Sequence, residues 1–164
     1  MNMSIKNDFI KLFKSFGFAF KGIIYCIKSE RNMRIHLCAA FYVLLIMPFF
    51  ELEKSERAVI YIVISLVISL EMINTAVEAA VDLKTKERDS LAGIAKDCAA
   101  GAVLCSAIVS VVIAVVFFAD ADGWTRLFEY FADSPLKLVL LVLSAVFWFV
   151  FIFVIGKGKK NEQD

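Results

Sequence analysis

The chain has 164 residues, of which 60% are hydrophobic, with 16 Phe, only two Pro and a formal net charge of +1. That apolar share exceeds the roughly 45–50% of an ordinary soluble domain and makes a membrane protein the starting reading. The near-neutral charge gives no reason to invoke nucleic acid, which calls for a basic groove with aromatic platforms.

The opening residues interleave Lys11 and Lys14 with phenylalanine and hold no unbroken apolar core, so they do not read as a removable signal peptide. Phe9, Leu12, Phe13, Phe16 and Phe20 recur at helical spacing opposite the lysines. This pattern predicts an amphipathic helix lying in the membrane surface, over residues 1–33.

A helix needs about 20 apolar residues to cross roughly 30 Å of hydrocarbon at about 1.5 Å per residue. Four runs qualify, at about 34–50, 58–81, 92–118 and 135–155. The first is short and closes on Pro48; the fourth, "LKLVLLVLSAVFWFVFIFVI", is unbroken. None alternates apolar with polar as a barrel strand does. The expected fold is an all-α integral membrane helical bundle, with a surface helix and about four transmembrane helices.

Lys and Arg distribution predicts the orientation. The N-terminal segment holds Lys6, Lys11, Lys14, Lys21, Lys28, Arg31 and Arg34, the middle loop Lys84, Lys86 and Arg88, and the tail Lys157, Lys159 and Lys160. The alternate loops, "ELEKSER" and "ADADGWTRLFEYFADS", are poorer in base. Both termini and the middle loop are therefore expected on the cytoplasmic side, with Trp124 and Tyr130 in an outer interfacial belt. Glu30, Arg31 and Arg34, taken alone, read as a solvated charge cluster near the membrane. Cys26, Cys38, Cys98 and Cys105 lack CxxC spacing and read as packing residues rather than a disulfide frame or zinc site.

The second run ends in "SLEMINTAVEAAVDL", which carries Glu71, Asn74, Glu78 and Asp82. At about 100° per residue these fall at roughly 0°, 300°, 340° and 20°, a stripe about 80° wide. Helix rise sets Glu71 about 16 Å from Asp82, well inside the hydrocarbon if Asp82 lies at the head groups. An ionisable group at that depth costs about 2.5–3.5 kcal/mol or more and persists by facing partners in the bundle. Such a seam could be interhelical glue, but three acids on one stripe repel one another unless a cation sits among them. Lys96, which with Asp97 opens the third run, or a magnesium ion would serve.

The blocks "EMINTAVEAAVD" and "AKDCAAGAV", preceded by "FKGIIYCIKSERNMRIH", resemble the small integral-membrane lipid kinases of bacteria, the prokaryotic diacylglycerol kinase and undecaprenol kinase family. The resemblance covers about residues 9 to 118. The "ERNMRIH" wording is similar to the Gram-positive branch, whose preferred acceptor is undecaprenol; the enterobacterial diacylglycerol kinases carry Trp where this chain has Phe20 and an acid where it has His36.

The resemblance implies transfer of the γ-phosphate of ATP to a lipid alcohol in the bacterial plasma membrane. Glu71 matches the general base, Glu30 and Glu78 the ligands of Mg²⁺, and Lys96 the lysine that contacts the ATP phosphates. Asn74 would orient Glu71 or the acceptor, while Asp82, Asp97 and Glu30 match polar positions near the nucleotide. It also implies a homotrimer with shared active sites and a lipid kinase core over residues 34–118. The additional C-terminal span with its basic tail, over 119–164, departs from the compact members, which have three spans. No GxxxxGK[ST] loop is present, so phosphate binding falls to Lys96, metal and helix ends. His36, the one histidine, suits a hydrogen-bonded structural role better than a catalytic one. The rival class is a small proton- or cation-coupled transporter built around Glu71, and diacylglycerol is the rival acceptor.

Overall fold

A computed structural model describes residues 2–84 and 89–154, with side chains from Asp8 onward. Six α-helices account for nearly all of it: α1 (Asn2–Ser29), α2 (Arg31–Ile46), α3 (Lys54–Lys84), α4 (Ser90–Phe117), α5 (Ala121–Ala132) and α6 (Pro135–Phe153). Four of them, counting α2 with the 3₁₀ turn Met47–Phe49 that continues it, are long and apolar enough to cross a membrane. The chain is a multi-pass membrane protein of the predicted all-α class.

Local chemistry sets most of the helix boundaries. α1 stops where Glu30 turns extended, at φ −99° and ψ 121°, and α2 starts on the next residue. Asp89 caps α4 by accepting from the backbone N–H of Leu91 and Ala92, and Asp120 caps α5 by accepting from Asp122 and Gly123. Pro135 opens α6, where its missing N–H has no partner to lose.

α3 and α4 form the most extensive helix pair, α2 packs on α3, and α6 packs on α2. On the α2–α6 seam Phe41 meets Trp148 at 5.6 Å between ring centroids, and the hydroxyls of Tyr42 and Ser144 lie 3.1 Å apart. The C-terminal end of α6 therefore reaches the N-terminal end of α2.

The segment 119–134, expected as a loop, holds the 12-residue helix α5. Its signal was present: an Asp cap followed by Trp124, Leu127, Phe128 and Phe131 at helical spacing. α5 closes the face of the bundle away from Glu30. Phe50 is 2% exposed there, edge-on to Phe118 and Trp124, and a Cβ on Gly123 would lie 2.4 Å from its ring. Arg126 ties the closure together by donating to the Phe49 carbonyl, Glu51 and Asp120. Trp124 and Tyr130, the expected belt residues, sit on α5 and remain partly exposed.

The cysteines do not form one class. Cys26 is buried, Cys38 is half-buried, and Cys98 and Cys105 are exposed because α4 turns most of its length outward in the single chain. Within the single chain the packing role is met by Cys26, while Cys98 and Cys105 face outward. Lys86 and Arg88 of the middle loop and Lys157, Lys159 and Lys160 of the tail lie outside the described residues.

Candidate active site

The polar stripe on α3 survives as a structural feature. Glu71 is 1% exposed, and Asn74 and Thr75 are also buried. Neither carboxylate oxygen of Glu71 makes a hydrogen bond among the described residues, and the same holds for Oδ1 of Asn74. Unpartnered polar atoms at such depth are costly and are the exception in folded proteins.

One turn along, the Asn74 amide donates to Glu78 Oε1 at 3.0 Å. Thr75 stays local, donating from Oγ1 to the Glu71 carbonyl at 2.9 Å. Glu30, half-buried at the α1–α2 corner, and Glu78 lie close enough for their charges to act on the Glu71 carboxyl. Residues 41 positions apart in the chain thus come within electrostatic range of each other, and α1 touches α3.

Lys96 does not sit between these acids. Its ammonium pairs with Asp82 at the end of the stripe furthest from Glu71, on a partly exposed part of the α3–α4 pair. Asp97, its neighbour on α4, is exposed. Two groups result: a carboxylate set of Glu71, Glu78 and Glu30 with Asn74, and a Lys96–Asp82 pair beyond it.

Arg34 departs from the solvated cluster expected of it. It is 4% exposed; its Nη1 donates to the carbonyls of Ile27 and Lys28 at 2.9 and 3.0 Å, and its Nη2 to that of Ile152 at 3.5 Å. Arg31 is exposed, as expected. What separates them is helical register: Arg34 shares the inward face of α2 with Met33, and nothing in the run of charges announces that.

His36 is half-buried and lines an apolar groove of about 160 Å³ between α2, α3 and α4. Val67 and Ile68, one turn before Glu71, line the same groove.

Among the described residues no three His, Cys, Asp or Glu side chains form a ready metal cage. Magnesium is commonly held by one or two carboxylates with substrate phosphates completing its shell, and the oxygen donors of Glu30 and Glu78 are of the chemical kind that ion takes.

The chain is thus an integral-membrane helical bundle in which the buried Glu71 has the half-buried Glu30 and Glu78 within electrostatic range, with the Lys96–Asp82 pair further along α3. The sequence profile of prokaryotic diacylglycerol kinase matches residues 17–118, and the chain belongs to that family of membrane lipid kinases. It is similar to the undecaprenol kinase of Bacillus subtilis, 41% identical over 113 residues, which are 69% of this chain and 92% of that protein. It is also similar to the diacylglycerol kinase of Synechocystis, 42% identical over 103 residues, 62% of this chain and 59% of that one. The diacylglycerol kinase of Escherichia coli is 30% identical over 104 residues, 63% of this chain and 85% of that one. No solved structure gives a significant match. The relatives carry the kinase reading rather than the transporter, and a kinase takes ATP as its phosphoryl donor. Both α5 and α6 lie beyond the matched residues.

Proposed function

We propose that the chain phosphorylates undecaprenol at the cytoplasmic face of the bacterial plasma membrane, using ATP and Mg²⁺. The observation that carries this reading is Glu71: an acid 1% exposed, with both oxygens unpartnered, beside Glu78 and Glu30. The Bacillus relative, matched over 92% of its length, favours undecaprenol as the acceptor.

In this reading Glu71 has the role of a general base in phosphoryl transfer: it accepts the proton of the lipid hydroxyl as that oxygen attacks the γ-phosphorus and the bond from the γ-phosphorus to the bridging oxygen breaks, releasing ADP. Glu30 and Glu78 would hold Mg²⁺, which supplies charge neutralisation on the phosphates. The Asn74 amide keeps Glu78 in place through its 3.0 Å hydrogen bond, leaving Oδ1 free to orient the acceptor hydroxyl. Lys96 exchanges Asp82 for the ATP phosphates, an inexpensive exchange because exposed ion pairs are worth about 0–1 kcal/mol. Asp82 and Asp97 border the nucleotide. Both termini face the cytoplasm, as the basic residues predict, and the active unit is a homotrimer with shared sites.

Purified protein in mixed micelles tests the acceptor directly. Phosphate transfer from ATP to undecaprenol should exceed transfer to diacylglycerol in kcat/KM. An equal or reversed ratio would make the chain a diacylglycerol kinase.

A further inference from the structure

We propose that α6, acting through Arg34, positions the α1–α2 corner that carries Glu30. The last carbonyls of any helix lack intrahelical donors and carry partial negative charge. Arg34 meets such carbonyls from two helices at once: Ile27 and Lys28 in the last turn of α1, and Ile152 in the last turn of α6. No carboxylate competes for it among the described residues, so this buried cation is held chiefly by the two helix ends. Its planar fork reaches both, which a lysine's single head does not.

The corner it holds is the Glu30 corner. Glu30 is the one extended residue between α1 and α2, and its N–H donates to Cys26 at 2.9 Å. Cys26 and Met33 pack tightly on either side, at 5% and 1% exposure. A shift of α6 would therefore be felt at Glu30, four residues from Arg34, through one guanidinium. The seat of α6 on α2 is made separately, by Trp148 on Phe41 and Ser144 on Tyr42. α6 lies outside the family match, and the Bacillus relative uses 92% of its length on 113 matched residues, leaving little chain for a counterpart. The Bacillus relative thus has little room for the same brace. The bearing of the brace on Mg²⁺ rests on the proposed role of Glu30.

Hydrogen exchange measured by mass spectrometry on the full chain in detergent tests the coupling. Trp148→Ala loosens the seat of α6 without touching the corner. Amides 27–34 should then exchange about tenfold faster or more, the size expected when a hydrogen bond to a charged group is weakened. Arg34→Gln should do the same, and adding Trp148→Ala to it should change the corner little further, because the route is already cut. In activity assays both single variants should raise the Mg²⁺ midpoint while leaving the KM for lipid near the parent's. Unchanged corner exchange in Trp148→Ala, with α6 amides accelerated, would overturn the proposal, as would fully additive effects in the double variant. If Arg34→Gln fails to fold, the Trp148→Ala result decides alone. Corner loosening in a protein whose parent transfers no phosphate would support the brace and sink the kinase reading.

Discussion

Asn74 donates its amide to Glu78 at 3.0 Å, while Glu71, one turn the other way along α3, keeps both oxygens unpartnered in the interior. The two acids are thereby made different. One is fixed in direction by a neighbour, as the proposed metal ligand would need to be, and the other, the proposed base, has both oxygens without a partner among the described residues.

Replacing Glu71 by Gln keeps its shape and removes the base. Turnover should fall by about 100-fold or more, within the range for loss of a general base. Nucleotide binding should stay near the parent's, and stability should hold or rise because a buried carboxyl has been neutralised. Turnover and ATP binding measured on the same preparation decide it: parental turnover would return the stripe to interhelical packing, and lost ATP binding would move Glu71 into the metal site.

In the proposed site, Glu30→Gln and Glu78→Gln would each remove one carboxylate from a hard cation. Each variant should need more Mg²⁺ for half-maximal activity, with Asn74→Ala producing a weaker version of the Glu78 effect. If the Mg²⁺ titrations of Glu30→Gln and Glu78→Gln overlay the parent's, the ligands lie elsewhere.

The carbonyl of Ile152 meets Arg34, so the end of α6 and the start of α2 share a face. A reporter fused after Asp164 should accordingly be found on the same side as one fused before Met1, and by the proposed orientation that side should be the cytoplasmic one. Reporters on opposite sides would mean that one of the four helices does not cross.

Gly123 is held to its size by the Phe50 ring, which a Cβ would approach to 2.4 Å. Gly123→Ala should lower Tm, at the roughly 1–3 kcal/mol typical of overpacking, and Phe50→Leu in the same chain should recover part of the loss. An unchanged Tm in Gly123→Ala would show that α5 is free to move off Phe50.

Four apolar runs were legible because hydrocarbon demands a length and composition that little else in a chain imitates. The Glu71, Asn74, Glu78 and Asp82 stripe was legible because helical geometry alone puts those positions on one face. α5 went unread although its cap and spacing were there, since a short run with four acids resembles a loop until Phe50 and Gly123 are seen to lock together.

The apolar runs, the stripe on α3 and the family blocks are local, so chain order alone determined them. Which polar groups meet was decided by the tertiary structure. Lys96 goes to Asp82 rather than Glu71, Glu30 comes within electrostatic range of Glu71 across 41 positions, and Arg34, read as a solvated charge, is buried between two helix ends. A side chain's partner depends on where separate helices cross and how each is rotated, and those are settled by packing over the whole bundle rather than by the residues on either side of it.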